Sequence, residues 1–301
     1  MYGNINSRRN QQLGGKIAVI AVILSILALS GCYQSPSVPR LGTENKVIVP
    51  PSQHFAGVSV ENRPIMYYVI GQGSDVTFIM STIHGDEPAG TTLTNRLADY
   101  LNQHPELLTG RKVVIMPVAN PDGLAAKKRL NANGIDLNRN FPAQNRPGDI
   151  TASIDSSPQS SLRNINVKDV NGTSQSKKDA ATLRKEMGTS ALSEPEAHII
   201  NELIKQYKPS RIVSIHQPYG CIDYDGPAEA LAKQMAQYCV LPVKKVGAQP
   251  GSLGSYAGLT LGIPIITFEM LENDSNLNPE LLWQKYYKSL LASIMYPDLV
   301  Q

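Results

Sequence analysis

Short and almost continuously apolar runs recur along the chain, separated by stretches of helical period. Four of these runs are rich in β-branched residues: Val76–Ile83, Lys112–Val118, Arg211–Ile215 and Ile263–Phe268. A strand that is covered on both faces loses the alternation of apolar and polar positions. The runs therefore predict buried strands of a mostly parallel or mixed sheet.

Helical stretches lie between and after these runs, at Ala89–Leu101, Ser193–Tyr207 and Leu281–Met295. The second stretch opens with Ser193-Glu194-Pro195-Glu196, in which Ser193 fits an N-cap and Glu196 completes a capping box. Strands that alternate with helices predict a doubly wound α/β fold with helices on both faces of the sheet. In such folds ligand sites gather beyond the carboxyl ends of the strands.

The amino terminus has a different pattern. Three basic residues precede Ile17–Leu29, a run of thirteen residues in which only Ser25 is polar. This run is too short for a hydrocarbon core of about 30 Å, so it is typical of a signal peptide. Leu29-Ser30-Gly31-Cys32 follows and resembles the lipobox of bacterial lipoproteins, in which the chain is cut before the cysteine. We therefore predict a lipoprotein signal peptide at 1–31 and lipidation at Cys32, with an uncleaved anchor helix as the alternative.

A lipidated Cys32 would hold the protein on the periplasmic face of a bacterial membrane, since each buried CH₂ contributes about 0.8 kcal/mol. The residue after Cys32 is Tyr33 and not Asp, which favours the outer membrane by resemblance to known sorting patterns. The proline-containing residues 32–54 predict an extended tether, and the folded domain is expected at 55–301. Inside that domain, residues 145–192 contain eight Ser and no aromatic residue, which predicts a long surface insertion.

Composition excludes several classes of function. The chain of 301 residues is 42% hydrophobic and 18% charged, as expected of a globular protein. Removing residues 1–31 leaves 25 basic against 25 acidic residues, so no excess of positive charge points to nucleic acid. The Gly-rich pieces lack a phosphate-loop lysine, so nucleotide binding is not expected. A Cys221–Cys239 disulfide in an oxidising compartment is the simpler hypothesis for these cysteines, and a thiol nucleophile or ligand at Cys221, near His216, is the alternative.

Candidate chemistry lies where the predicted strands end. His84 and Glu87 follow the first run, and His216 ends the third. Two His and one Glu form a catalytic zinc set that leaves one coordination position for water. His and Glu three residues apart are also common in surface turns, so the ligand prediction depends on their shared position beyond strand ends.

Five motifs follow one another in the order found in the zinc carboxypeptidases of the M14 class: His84-Gly85-Asp86-Glu87, Asn120-Pro121-Asp122-Gly123, Asp136-Leu137-Asn138-Arg139-Asn140-Phe141-Pro142, His216 and Thr267-Phe268-Glu269. Over about residues 56–297 the chain resembles this family, and within it the branch of murein peptide amidases and related γ-D-glutamyl-diaminopimelate peptidases. The resemblance implies a zinc carboxypeptidase-like fold, one Zn²⁺ ion and a murein peptide substrate. It implies hydrolysis of the γ-D-glutamyl-meso-diaminopimelate amide bond by a metal-activated water.

The resemblance also implies roles for single residues. His84, Glu87 and His216 would bind Zn²⁺, and Glu269 would be the general base, with Glu272 as a competitor. Arg129 would stabilise the oxyanion, although the adjacent Lys127 and Lys128 leave the register open by one or two residues.

Further residues are implied around the substrate. Asn138 and Arg139 would grip a free carboxylate, for which a guanidinium offers a bidentate fork. Asp136 would accept the second ring N–H of the first zinc histidine. Tyr256 is predicted to line the specificity pocket, with a packed aromatic as the alternative.

Two other functions remain open at this stage. The first is a zinc-dependent N-acyl amino acid deacylase of the aspartoacylase or succinylglutamate desuccinylase type, which shares the histidine, glutamate and Asp-Leu-Asn-Arg elements. The Asn120–Gly123 motif and the Ser193–Glu196 segment favour the peptidase instead. The second is a non-catalytic envelope lipoprotein that binds peptides, against which Glu269 and the complete ligand set speak.

Overall fold

The computed structural model describes residues 51–146 and 180–300. The signal peptide, Cys32 and almost all of the predicted tether lie outside these ranges, so those hypotheses stay predictions. Within the two ranges no helix has the length and apolar character needed to cross a membrane.

A seven-stranded mixed sheet forms the centre of the domain. Its strands are β1 Gln53–Val58, β2 Pro64–Gly71, β3 Asp75–Ser81, β4 Arg111–Met116, β5 Arg211–His216, β6 Tyr219–Asp225 and β7 Ile265–Leu271. Their order across the sheet is β1-β2-β4-β3-β5-β7-β6. The four central strands β4, β3, β5 and β7 run parallel, and they are the four buried strands that the apolar runs predict.

The three outer strands are antiparallel, and the two at the edges of the sheet, β1 and β6, have no long continuous apolar run. β1 has exposed or half-buried residues along its whole length, and β6 alternates apolar and polar side chains. Polar or small residues interrupt the apolar pattern of both edge strands, which is why the sequence does not predict them. β1 begins at Gln53, so the folded region starts two residues before the predicted domain boundary.

Helices cover both faces of the sheet. They are α1 Ala89–Gln103, α2 Pro121–Ala126, α3 Ala180–Glu186, α4 Pro195–Tyr207, α5 Glu229–Ala236 and α6 Pro279–Met295. Residues of α1, α5 and α6 share one apolar core layer, and residues of α4 belong to the other. Ile79 and Phe78 of β3 point into opposite layers, as alternation along a strand requires. The predicted doubly wound α/β architecture is confirmed.

The start of α4 differs from its prediction. The helix begins at Pro195 with Glu194 as N-cap, and Glu194 has an extended backbone and no side-chain cap. The Glu196 carboxylate accepts hydrogen bonds from the backbone of Val60 at 3.2 Å and from Asn131 Nδ2 at 3.2 Å. The predicted capping box is therefore wrong, because tertiary donors hold the carboxylate that would have turned back to Ser193.

Strand order places a crevice between β3 and β5. The chain leaves β3 for β4 on one side and later crosses to β5 on the other, and β5 lies directly beside β3. Connections that diverge in this way open a cleft beyond the carboxyl ends of the two strands. The segments that carry His84 and His216 begin at this cleft.

The ends of the predicted Ser-rich insertion pack against the domain. Arg146 is buried and donates a hydrogen bond from Nη2 to the Met187 carbonyl at 2.9 Å. The backbone N–H of Asp136 donates to the Glu186 carbonyl at 2.8 Å. Arg146 and Met187 are therefore buried near the two ends of this segment, and its residues 147–179 lie outside the described ranges, where the prediction stays untested.

Both described cysteines are free thiols. Cys221 is fully buried in β6, whereas Cys239 follows α5 and directs its thiol to the Met235 carbonyl at 3.9 Å. Burial, with a contribution from Glu269, raises the pKa of the Cys221 thiol to about 11. The predicted Cys221–Cys239 disulfide is therefore wrong for this structure.

Candidate active site

Two imidazoles and one carboxylate meet in the crevice. His84 follows β3, His216 is the last residue of β5, and Glu87 lies between β3 and α1. Nδ1 of His84 lies 2.7 Å from Glu87 Oε1, and Nδ1 of His216 lies 3.0 Å from Glu87 Oε2. The two Nδ1 atoms are 3.2 Å apart, and one donor atom from each residue lies within 4.8 Å of the others. The structure therefore brings together the predicted ligand set.

Each ligand histidine is oriented through its other ring nitrogen. His84 Nε2 lies 3.2 Å from Oδ1 of Asp136, the residue that the resemblance implies as its partner. His216 Nε2 lies 2.9 Å from Ser214 Oγ. Such partners fix ring orientation and tautomer, so both Nδ1 atoms are available to a metal. Two imidazole nitrogens and a carboxylate, all buried, are the donor set that suits catalytic zinc.

Glu87 is held as an anion. Burial alone would raise the pKa of the Glu87 carboxyl, but the two imidazoles lower it far below its usual range. The backbone N–H of Gln217 also donates to Oε2 at 3.2 Å. A carboxylate that stays ionised is ready to bind a cation over the whole physiological pH range.

Glu269 lies beside the ligand set on the neighbouring strand. It pairs with His216 in the parallel register of β5 and β7, and Tyr219 donates its backbone N–H to Oε2 at 3.4 Å. Glu269 lies within β7 and not after it, because pairing with β6 extends the strand to Leu271, beyond the predicted end at Phe268. Burial raises the pKa of the Glu269 carboxyl, although His216 opposes the shift. The competing Glu272 is exposed in the turn that follows.

Arg129 is the residue of its basic segment whose side chain contacts the ligand set. Nε and Nη2 donate to Asp136 Oδ2 at 3.2 and 3.1 Å. Nη1 lies 3.2 Å from His84 Nδ1 and 3.5 Å from Glu87 Oε1. Lys127 and Lys128 are exposed instead, so Arg129 is the cation directed toward the ligand set. About a third of its side chain, 37%, is accessible to solvent.

The implied carboxylate clamp lies on a single helical turn, Leu137–Arg139. Asp136 caps this turn by accepting the Asn138 N–H at 2.9 Å. Asn138 Oδ1 accepts the backbone N–H of Leu253 at 2.9 Å, which leaves the amide nitrogen as the donor available to a ligand. Arg139 Nη1 donates to the Asn138 carbonyl at 2.7 Å, and its side chain is half-buried.

Tyr256 belongs to the apolar core. Only 7% of the residue is exposed, and its hydroxyl donates to Asn201 Oδ1 at 2.7 Å. Its ring stacks on Phe141 with centroids 6.0 Å apart. This position corresponds to the packed-aromatic alternative and gives no support to a role in binding substrate.

Some residues around the site are missed by the sequence reasoning. Ser214 precedes His216 by two positions on the same strand, so the period of two could have identified it as a neighbour on the same face. Gln217 donates Nε2 to the Leu271 carbonyl at 3.0 Å and supports the Glu87 contact through its backbone. No local pattern marks Gln217, since both partners are distant in sequence.

The family model of zinc carboxypeptidases, peptidase class M14, matches residues 51–225. The chain belongs to this family, and the protein is a zinc metallopeptidase, a hydrolase. It is 30% identical over 237 residues to murein peptide amidase A of Escherichia coli strain K12, covering 77% of this chain and 86% of that one. It is 29% identical over 266 residues to murein peptide amidase A of Vibrio campbellii, covering 87% and 94%.

Solved structures agree on the fold. The murein-tripeptide amidase of Escherichia coli O157 superposes with a TM-score of 0.58 at 25% identity and covers 83% of this chain and 94% of its own. Carboxypeptidase A of Helicoverpa armigera gives a TM-score of 0.56 at 19% identity, covering 80% and 66%. At that identity the insect enzyme shows the shared fold alone.

Proposed function

We propose that this protein hydrolyses murein peptides at the amide bond between γ-D-glutamate and meso-diaminopimelate. The main support is that Glu269 is paired with His216 and that Arg129 contacts His84 and Glu87, in a chain similar to murein peptide amidases over most of its length. The nearby Asn138 and Arg139 suit a substrate with a free carboxylate beside the scissile bond.

Chemistry at this site needs an activated water and a proton acceptor. His84, Glu87 and His216 would hold zinc, which would supply Lewis acidity and would lower the pKa of a water at the site to about 7. Glu269 is suited to take the proton of that water and return it to the leaving amine, because burial raises the pKa of its carboxyl.

Charge that develops on the carbonyl oxygen needs a donor that is already in place. Arg129 fits this role because Asp136 fixes two of its guanidinium nitrogens while Nη1 points to the ligand set. Arg139 offers a second guanidinium for the carboxylate of the diaminopimelate end.

We further propose that the mature protein is lipid-anchored through Cys32 on the periplasmic face of the outer membrane. The support is the sequence of residues 1–33 alone: basic residues, a short apolar run, the lipobox-like Leu29-Ser30-Gly31-Cys32 and Tyr33. A murein peptidase held there would face its substrate. Replacing Cys32 with Ala and following fractionation with detergent would test the anchor.

Purified protein without residues 1–32 should release diaminopimelate from the murein tripeptide L-Ala-γ-D-Glu-meso-diaminopimelate. A chelator should stop the release, and zinc should restore it. No cleavage of any murein peptide by zinc-loaded protein would refute the substrate. Cleavage of N-acyl amino acids in its place would assign the protein to the deacylases.

A further inference from the structure

The site residues Arg129 and Asp136 lie on an irregular segment that contains no strand. Main-chain bonds hold each end separately: the Arg129 carbonyl accepts from Gly85, and the Asp136 N–H donates to Glu186. The turn between them sets how the Arg129 guanidinium is placed relative to the Asp136 carboxylate and to His84. What holds this turn therefore bears on the position of the oxyanion donor.

Asn131 organises the turn from inside. Its backbone N–H donates to the Ile135 carbonyl at 2.9 Å, and its Oδ1 accepts the backbone N–H groups of Asn133 at 3.1 Å and Ile135 at 3.0 Å. Only 5% of Asn131 is exposed. Removing this side chain would break its bonds to the backbone of Asn133 and Ile135. It would also break the hydrogen bonds that Nδ2 donates.

Those partners are two buried carboxylates at the start of α4. Asn131 Nδ2 donates to Glu194 Oε2 at 2.7 Å and to Glu196 Oε2 at 3.2 Å. The amide thereby uses both of its N–H groups and joins the turn to the start of α4. Ser193 and Asn133 also donate to Glu194, and Val60 to Glu196.

The carboxylates of Glu194 and Glu196 accept hydrogen bonds from uncharged groups, although a cation would be a stronger partner. No Lys, Arg or His forms an ion pair with either of them within 51–146 and 180–300. Burial of such groups is costly, and apolar side chains would fill the space with less loss. Directional hydrogen bonds, unlike apolar contacts, fix the orientation of the group that they join.

We propose that Asn131 is a positioning residue for Arg129, acting through its bonds to Glu194 and Glu196. This inference rests on the proposed peptide hydrolysis for its kinetic readout only. A reacting group that moves by about 1 Å costs up to about 100-fold in rate, so a modest displacement of the turn is measurable. The bonds of Asn131 keep the guanidinium directed at the ligand set before substrate arrives.

The kinetic test compares Asn131→Ala with Asn278→Ala, which removes the N-cap of α6 far along the chain. Both variants should lower Tm. Asn131→Ala should lower kcat on murein tripeptide about tenfold with KM within about twofold, because a donor that acts in the transition state is displaced. Asn278→Ala should leave both constants unchanged. Equal kinetics in the two variants would show that Asn131 has a purely structural role.

A second comparison asks whether the effect passes through Arg129. In an Arg129→Ala background, adding Asn131→Ala should lower kcat by less than about twofold, since coupled residues are not additive. A full tenfold loss in that background would overturn the proposal. Asn131→Asp should also be impaired, and Asn131→Asp with Glu194→Gln and Glu196→Gln should recover, because the hydrogen bonds are rebuilt with donors and acceptors exchanged.

A third measurement needs no substrate. The Arg129 Nε–H donates to Asp136 and should give a slowly exchanging ¹⁵N resonance, assigned by its loss in Arg129→Lys. Asn131→Ala should speed that exchange, whereas Asn278→Ala should leave it unchanged. If the protein proves inactive on murein peptides but this difference is present, the proposed substrate fails and the positioning role stands. An unchanged resonance in Asn131→Ala would refute the positioning role.

Discussion

The two halves of the site are built by different means. His216 and Glu269 are paired residues of adjacent strands, so the main-chain register of the sheet sets their separation. Arg129 and Asp136 lie on an irregular segment, and Arg139 lies on the single helical turn that follows it; side-chain hydrogen bonds set the positions of all three. A register is shared by many residues and withstands single substitutions, whereas a side-chain contact is lost when one partner is removed. Substitutions in the strand-built half should therefore lower activity mainly at the reacting groups themselves. In the loop-built half, substitutions of the residues that support the reacting groups should lower it as well.

The largest effect is expected in the strand-built half at the reacting carboxylate. Glu269→Gln keeps the shape of the side chain and the register of β7 but cannot accept a proton. The kcat for murein tripeptide should fall by about 10²- to 10⁴-fold, the usual contribution of a general base. Zinc affinity, measured by competition with a chromogenic chelator, should change little.

Glu272→Gln is the matched control, because that carboxylate is exposed and lies just beyond the strand. Its turnover should equal that of the wild type. If Glu272→Gln were the inactive variant and Glu269→Gln the active one, the assignment of the base would be reversed.

A smaller effect is expected for the carboxylate clamp in the loop-built half. Arg139→Lys keeps the charge but loses the planar fork, so a bidentate contact to the substrate carboxylate is replaced by a single one. KM should rise by about 10- to 100-fold, as expected for the loss of a charged hydrogen bond of about 1.5 to 3 kcal/mol. Steady-state kinetics on the tripeptide would measure it.

A tripeptide whose terminal carboxylate is amidated provides the control for Arg139. Wild type should lose affinity for this analogue, whereas Arg139→Lys should discriminate little between the two substrates. Equal discrimination by both proteins would place the clamp elsewhere.

The same division explains how much the sequence predicts. Continuous apolar runs identify β3, β4, β5 and β7, and the residues that follow them identify the metal ligands. These signals are local, because a strand buried on both faces must be apolar along its length. The edge strands β1 and β6 escape detection, since their burial depends on partners far along the chain.

The supports of the loop-built half have no local signal. The contacts of Asn131 to Glu194 and Glu196 join residues about sixty positions apart, and a capping-box pattern suggests a different use for Glu196. Tyr256 shows the opposite error: its place in a site-like segment suggests substrate binding, while the structure packs its ring on Phe141. The family resemblance names reacting groups but not the packing around them.

The two zinc histidines allow a direct comparison of a loop support with a strand support. Asp136 of the loop holds His84, and Ser214 of β5 holds His216. Asp136→Asn keeps an acceptor for the ring nitrogen but loses its charge and weakens the contact to Arg129. Zinc affinity should fall about tenfold, at the lower end of the range for such contacts.

Ser214→Ala should lower zinc affinity less, by about threefold, because the β5 backbone still directs His216. Both affinities can be measured by the same chelator competition. An equal or larger loss in Ser214→Ala would show that the strand does not fix its histidine, and the contrast between the two halves would fail.

Two buried carboxylates, those of Asp225 and Asp136, differ in whether hydrogen bonds and cations stabilise their charge. Asp225 ends β6 opposite Ile265, at the edge of the sheet away from Glu269, and none of the described hydrogen bonds reaches its carboxylate. Burial, with repulsion from Asp223, raises its pKa to about 6. By comparison, Arg129 and His84 overcome the burial of Asp136 and hold the pKa of that carboxyl well below its usual range.

The sign of the stability effect follows from this shift. An Asp whose pKa is higher in the folded than in the unfolded state opposes folding once ionised, so the cost appears between about pH 4 and 6 and persists above. Asp225→Asn should therefore raise the free energy of unfolding by about 1 to 2 kcal/mol at pH 8 and by almost nothing at pH 4. Urea denaturation of both metal-free proteins across this range would measure the difference. A gain that did not vary with pH would show that the carboxylate of Asp225 has a partner after all, and that burial alone does not separate it from Asp136.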